Sequence, residues 1–149
     1  MYSNGLQELI DSISWDKLED SYGPAINAPQ GFIDLFSDNQ DTREDAVYEF
    51  LLSSALHQYS TYSCTPYVVK CVLYISEYED IKNLVVINCP LVRELFLFIN
   101  GCLHSAQTMV ELKKEIVKGK LLYEKYINHN DKLTSKYARM LFDFSSSLD

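Results

Sequence analysis

The stretch TPYVVKCVLYI, residues 65–75, decides the fold class of this chain. It opens with a threonine–proline pair, which is typical of a helix start because the hydroxyl caps free N–H groups and proline suits the first turn. Apolar residues then recur at helical spacing, namely Val68, Cys71, Val72 and Ile75. Val69 and Leu73 widen this face, so the pattern predicts a helix that is buried over much of its girth.

Helical spacing continues towards the C-terminus. Pro90 lies near the start of another predicted helix, whose apolar face carries Leu91, Leu95, Phe98 and Cys102. A long charged helix is predicted over about residues 106–128, and Gly119 in its interior indicates a kink or a close crossing with another helix. A last helix is predicted from apolar residues at the same spacing, which are Tyr137, Met140, Leu141, Phe144 and Leu148.

The N-terminal side has comparable patterns. One helical element is predicted from apolar residues spaced as i, i+3 and i+7, which are Trp15, Leu18 and Tyr22. Pro29 suits the start of a short helix, and a longer helix is predicted from about residue 41 to residue 57. The segment DIKNLVVIN, residues 80–88, fits either a short helix or a buried strand, and its helical surroundings favour the helix.

Three segments of the chain resemble one another: DTREDAVYEFLL, PLVRELFLFIN and LTSKYARMLFDF. Their alignment matches Arg43 with Arg93, while Ser135 stands where the third arginine is expected. The offsets of 50 and 42 residues are close to the period of two-helix HEAT-type units. We therefore predict an all-α fold, either a HEAT-like solenoid of helical hairpins or a compact α-α superhelix of about seven to eight helices, in one domain over residues 1–149.

The net charge of −8 is distributed unevenly along the chain. Residues 1–50 carry eleven acidic and two basic side chains, whereas residues 101–149 carry six and eight. Such asymmetry produces a field that attracts a cationic partner to the N-terminal half and repels phosphate backbones. The pattern therefore argues against direct binding of nucleic acid, and a solvated acidic surface without further role is the alternative explanation.

Motifs for catalysis and for metal binding are absent from the sequence. It contains no glycine-rich phosphate loop, no HExxH and no GxSxG. Cys64 and His57 are the candidate nucleophile and base, but the stretch LHQYSTYSC that contains them is explained more simply as a turn between helices. The four cysteines lack the paired spacing of zinc sites, so we expect a non-catalytic protein without metal or cofactor.

The sequence also lacks membrane signals. Its longest apolar segments, such as LFLFI, are too short to span a bilayer, and the first residues are polar and mixed rather than a charged-then-apolar leader. We therefore expect a cytoplasmic protein that does not contact the membrane.

In the order of its motifs, the chain resembles small bacterial HEAT-like-repeat proteins. The resemblance is carried by Trp15, Tyr22-Gly23-x-Ala25, Pro29, Arg43, Ala46, His57-Gln58, Tyr62, Thr65 and Pro66, and it continues through NCPLVRELFLFI and the closing helices. One departure is Tyr59, because a glycine usually follows the histidine–glutamine pair in these proteins. A bulky residue tolerates positive φ poorly, so this departure affects the expected turn.

Many proteins of this kind resemble cognate immunity proteins of bacterial toxin systems, including contact-dependent inhibition. The resemblance implies a protein that binds and neutralises the C-terminal domain of its cognate toxin, and the acidic charge favours a cationic nuclease as that toxin. A HEAT-like adaptor or scaffold in another bacterial complex is the alternative function. The residues expected to contact the partner are Asp16, Glu19, Asp20, Asp38, Asp41, Glu44, Asp45 and Glu49, with Tyr59 and Tyr62 as aromatic anchors.

Overall fold

Helices make up most of the chain, of which a computed structural model describes residues 3–147. The N-terminal helices are α1 (Asn4–Asp11), α2 (Ala28–Asp34) and α3 (Gln40–Asp45), and α3 continues directly as a π-helix (Ala46–Ser54). They are followed by α4 (Thr65–Tyr78), α5 (Leu91–Gly101), α6 (Leu103–Ala106), α7 (Val110–Val117), α8 (Lys120–Tyr126) and α9 (Lys132–Ser146). The predicted compact all-α fold is confirmed.

Three short antiparallel hairpins connect these helices, and each consists of two-residue strands joined by a two-residue loop. The first hairpin pairs β1 (Glu19–Asp20) with β2 (Gly23–Pro24), and the second pairs β3 (Leu56–His57) with β4 (Ser60–Thr61). The third hairpin pairs β5 (Val85–Val86) with β6 (Cys89–Pro90). They precede α2, α4 and α5 respectively, so the strands act as connections and form no larger sheet within the described residues.

The core is built around α4, as the stretch at residues 65–75 predicts. Its fully buried positions include Val68, Val69, Cys71, Val72 and Ile75, and the helix packs against α1, α5 and α7. The predicted capping role of Thr65 is wrong, because Thr65 is the first helical residue. Its hydroxyl forms hydrogen bonds with the turn that precedes the helix instead. Its Oγ1 donates to the Ala55 carbonyl at 2.7 Å and accepts the Tyr62 N–H at 2.9 Å.

The helix predicted from Trp15 to Tyr22 does not form. The chain makes a single 3-10 turn at Trp15–Lys17 and then enters the first hairpin, where Gly23 has a φ of +132°. The Trp15 indole donates to the Ile10 carbonyl at 3.0 Å and packs beneath the end of α1, a helix that the sequence patterns did not indicate. Tyr22 is 76% exposed, so its helical spacing from Trp15 has no structural meaning.

The helix favoured for residues 80–88 is also wrong, because this segment leads into the third hairpin. Contacts with α3 hold it there: the Ile87 N–H donates to the Glu44 carboxylate at 2.9 Å, and the Val85 carbonyl accepts from the Arg43 guanidinium. Val86 is completely buried between them. Tertiary contacts thus override the weak local preference of the segment.

Two of the predicted long helices are interrupted. The helix predicted over residues 41–57 ends at Ser54, its second part is a π-helix, and the chain then turns into the second hairpin. The helix predicted over 106–128 is broken into α7 and α8 at Gly119. A Cβ at Gly119 would lie 2.5 Å from Cζ of Tyr123 and 2.8 Å from Cδ2 of Leu73, so both the kink and the close helix crossing are confirmed.

The three aligned repeat positions hold neighbouring loops in place. The Arg43 side chain donates to the Ser37 and Val85 carbonyls, and Arg93 forms a two-point ion pair with Asp131. Ser135, at the third position, donates to the Ile127 carbonyl. The residues at the three repeat positions therefore share a structural role: each one holds a neighbouring segment of the chain by hydrogen bonds or an ion pair.

Asp131 both caps α9 and pairs with Arg93, at 2.8 Å and 3.0 Å. The guanidinium, together with hydrogen bonds from the Thr134 N–H and hydroxyl, holds the pKa of Asp131 well below its ordinary value of 3.8. A lowered folded-state pKa stabilises the fold above the ordinary value, and this contribution is lost as the pH falls towards the lowered one.

We expect Asp131→Ala to reduce the unfolding free energy by about 1.5 kcal/mol at neutral pH, after allowance for the partly solvated pair. In urea unfolding, the difference in unfolding free energy between the variant and the wild type should become smaller as the pH falls from about 5 to about 2. Asp143→Ala, on the exposed side of α9, is the matched control. An equal and pH-independent effect of both substitutions would contradict the assigned role of Asp131.

No helix within residues 3–147 combines the length and the apolar character that a membrane crossing needs.

Candidate functional site

An acidic cleft of about 260 Å³ lies between α2, the first hairpin and the π-helix. Its walls carry four carboxylates, which are Asp20, Asp34, Asp45 and Glu49. The remaining lining is polar or small, apart from the ring of Phe50. The cleft therefore combines concentrated negative charge with one aromatic surface.

The contact between Gly31 and Phe50 fixes the floor of the acidic cleft. A Cβ at Gly31 would lie 2.4 Å from two ring atoms of Phe50, so the ring rests directly against the backbone of α2. The same ring meets Phe32 edge-on, with 4.9 Å between the ring centroids. These two contacts hold the ring in one place, and they require glycine at position 31.

The π-helix aligns one wall of the acidic cleft. Its wider turn is marked by the Ala55 N–H, which donates to the Phe50 carbonyl five residues earlier at 2.9 Å. This wall carries Asp45, which is the last residue of α3, and the π-helical residues Ala46, Glu49, Phe50 and Ser54. π-helical segments are rare and are frequently found at functional sites.

None of the residues from 3 to 147 that line the acidic cleft is basic. Asp20 accepts the Tyr22 N–H at 2.8 Å, and Asp34 accepts the Gln30 side-chain amide at 2.9 Å. In the part of the chain that the structure describes, none of the four carboxylates forms an ion pair, and the carboxylates of Asp45 and Glu49 accept no hydrogen bond. The negative charge of the cleft is therefore available to a cation from outside.

The donor geometry of the cleft suits a cationic side chain. Across residues 3–147, no three His, Cys, Asp or Glu side chains are grouped so that they could hold a metal ion. The carboxylates stand on opposite walls of a cleft with an aromatic floor, where an ammonium or guanidinium group would meet both charge and a ring face. Lysine and arginine side chains of a partner protein carry these groups.

Exposed apolar side chains lie beside the acidic cleft. Tyr22 follows the wall residue Asp20 and its hydroxyl lies 2.9 Å from Ser53 Oγ, while 76% of the residue remains exposed. Ile26, which is 63% exposed, immediately precedes the lining residue Asn27. Exposed aromatic and aliphatic residues beside charges are typical of protein interfaces.

The structure brings three of the predicted contact residues together, since Asp20, Asp45 and Glu49 all line the acidic cleft. Glu44 is engaged by the fold, because it accepts the Ile87 N–H. The other predicted acidic residues are exposed but do not line the cleft, and these are Asp16, Glu19, Asp38 and Asp41.

Sequence reasoning missed Asp34, Tyr22 and Ile26. Asp34 is the single charged residue of α2, and the spacing of Tyr22 predicts an apolar helical face that does not form. The run SYGPAINAP, residues 21–29, predicts a loop that closes this element, and the exposed position of Tyr22 in the first hairpin agrees with that loop rather than with the helical spacing.

The two tyrosines proposed as anchors differ in exposure. Tyr59 is 71% exposed in the loop of the second hairpin, whereas Tyr62 is half-buried and packs against the core. The loop residues Gln58 and Tyr59 have φ values of +49° and +67°, as a type I′ turn requires. The expected conflict at Tyr59 is thus real, because a bulky residue occupies the left-handed region that glycine adopts freely. The side chains of His57 and Gln58 form no hydrogen bond within the described residues.

Tyr59→Gly should raise the unfolding free energy by about 1 kcal/mol, because it relieves the strained turn and removes no buried contact. We expect the melting temperature to increase by about 3 °C in calorimetry. Tyr59→Ala is the control, since alanine also loses the ring but still has a Cβ in the left-handed region. If the alanine variant gained as much stability as the glycine variant, backbone strain at Tyr59 would not be the cause.

The geometry does not support Cys64 and His57 as nucleophile and base. Cys64 is 1% exposed and burial raises the pKa of its thiol to about 12, so the reactive thiolate is scarce at neutral pH. His57 lies on the exposed side of the second hairpin. The four cysteines form no disulfide and are buried, where a thiol packs as a small apolar side chain.

Comparisons with protein-family models, with curated proteins and with solved structures find no match for this chain.

Proposed function

We propose that this protein is an immunity protein that binds and neutralises a cationic toxin domain through its acidic cleft. The observation that carries the proposal is the cleft itself, with four carboxylates that have no ionic partner in the described residues and an aromatic ring on the floor. The resemblance to HEAT-like immunity proteins supplies the kind of partner. No step of this function requires catalysis by the chain.

The cleft supports both recognition and inhibition of such a partner. Concentrated negative charge accelerates the approach of a cationic surface and orients it before contact. A lysine or arginine of the toxin would then enter between Asp45 at the end of α3 and Asp34 on α2, over the ring of Phe50. In a nuclease, basic residues of this kind bind substrate phosphates, so their capture would block access of the nucleic acid.

Apolar contacts would hold the complex after the first encounter. Tyr22 and Ile26 lie beside the cleft, and Tyr59 is exposed on the second hairpin. Burial of exposed aromatic residues typically provides much of the binding energy at protein interfaces. The proposal places the encounter in the cytoplasm, where a nuclease toxin would meet its substrate.

The function is tested by co-expression of the chain with the C-terminal domain encoded directly upstream of its gene. Rescue of growth, together with a salt-sensitive complex of the two purified proteins, is the expected result. A toxic domain that the chain neither binds nor neutralises would refute the proposal. A stable complex with a non-toxic protein would instead favour the adaptor function.

A further inference from the structure

We propose that a second pocket, lined by Lys17 of the 3-10 turn and Lys70 of α4, binds a phosphate group. This lysine pocket has a volume of about 370 Å³ and lies where the end of α1 meets α4. Hydroxyl groups of Ser12, Ser14 and Tyr67 complete its polar lining. Its residues are distinct from those of the acidic cleft, so the inference does not rest on the proposed toxin binding.

The charge balance of the lysine pocket calls for an anion. Lys17 is one of two basic residues among the first fifty, and the fold places it with Lys70 in a pocket whose lining contains no Asp or Glu. Two ammonium groups that line one pocket repel each other, and a bound anion would offset this repulsion by attracting both. Lys70 also lines a neighbouring groove with Glu77 and Glu115, yet neither lysine forms an ion pair with a carboxylate of residues 3–147.

The available donors favour phosphate within the class of anions. Ser12 Oγ donates to the Leu9 carbonyl at 2.6 Å, but the hydroxyls of Ser14 and Tyr67 have no hydrogen-bond partner in the described chain. Two hydroxyl-bearing and two ammonium-bearing side chains without a partner in the described chain therefore line the same pocket. They match the several oxygens of a tetrahedral phosphate better than the two coplanar oxygens of a carboxylate.

The apolar lining and the volume of the lysine pocket would also allow a phosphate that carries an organic group. Ile13 and Leu18 also line the pocket, and apolar side chains reduce the local dielectric and strengthen the attraction between ammonium groups and an anion. The volume of the pocket exceeds the roughly 30 Å³ of one water molecule many times. It therefore has room for the organic group of a phosphate monoester as well as for free phosphate.

The test is a titration of the ¹⁵N-labelled full chain with inorganic phosphate, followed by amide NMR and compared with sodium chloride at the same ionic strength. We expect saturable shifts that centre on residues 12–18 and on Tyr67 and Lys70. A parallel titration with adenosine 5′-monophosphate separates the two sources: tighter binding than inorganic phosphate indicates an ester ligand, and equal or weaker binding indicates free phosphate.

The double variant Lys17→Gln and Lys70→Gln should weaken phosphate binding by roughly tenfold or more, because it removes both charge-assisted contacts. Lys132→Gln with Lys136→Gln, two exposed lysines of α9, is the control with the same change of charge and should bind as the wild type does. The proposal is overturned if chloride produces the same shifts as phosphate. It is equally overturned if both double variants bind phosphate alike.

Discussion

Reversal of two charges in the acidic cleft, by Asp45→Lys with Glu49→Lys, is expected to lower the association rate constant for the toxin domain about 100-fold at low salt. Both side chains are exposed and take part in no hydrogen bond within the described chain, so the fold should be unaffected. The new ammonium groups would repel the cationic side chain that the cleft is proposed to receive. Stopped-flow binding at low and high salt measures the effect directly.

The matched control reverses Asp38 and Asp41, which changes the net charge by the same amount outside the cleft. A small effect of this control and a large effect of the cleft variant would indicate docking at the cleft. Equal effects would show that the general field of the N-terminal half steers the partner and that the cleft has no special role. Glu44 is left intact in both variants, because its carboxylate holds the third hairpin.

The helices could be predicted from the sequence because a helix that buries one face has apolar residues at a regular spacing. The stripe in α4 and the apolar positions of α5 mark core-facing sides, and the structure buries them. In α9 the prediction is less accurate: Leu141 is completely buried, Met140 is 44% exposed, and Leu148 lies outside the described residues. The hairpins have no such pattern, since two residues are too few to show the apolar–polar alternation of a strand. The loops of the second and third hairpins also lack the usual signals, because Gln58-Tyr59 and Ile87-Asn88 are not the glycine-containing pairs that type I′ turns favour.

The acidic cleft was predictable in its charge but not in its shape. The concentration of Asp and Glu in the first fifty residues indicated which part of the chain would attract a cation. The meeting of Asp34 with Asp45 and Glu49 depends on the π-helix and on the contact between Gly31 and Phe50. Neither feature has a local sequence signal, because each arises only when α2 packs against the segment that follows it.

Arg43→Ala is expected to lower the unfolding free energy by about 3 kcal/mol. The residue is 7% exposed, and its guanidinium donates to the Ser37 carbonyl at 2.8 Å and to the Val85 carbonyl at 3.1 Å and 3.3 Å. Hydrogen bonds from a charged group are stronger than neutral ones, and truncation would leave both carbonyls without their donor. The third hairpin would lose its attachment to α3.

Arg139→Ala provides the matched control, because Arg139 is exposed on α9 and its side chain forms no hydrogen bond or ion pair within residues 3–147. Its removal should change the unfolding free energy by less than about 0.5 kcal/mol. Urea unfolding compares the two variants, and amide exchange should show faster opening of residues 85–90 in Arg43→Ala alone. Arg43→Lys should recover part of the loss, since one ammonium can reach one carbonyl but cannot reproduce the planar fork. If both alanine variants lost the same unfolding free energy, Arg43 would not hold the third hairpin. The repeat positions would then have no shared structural role.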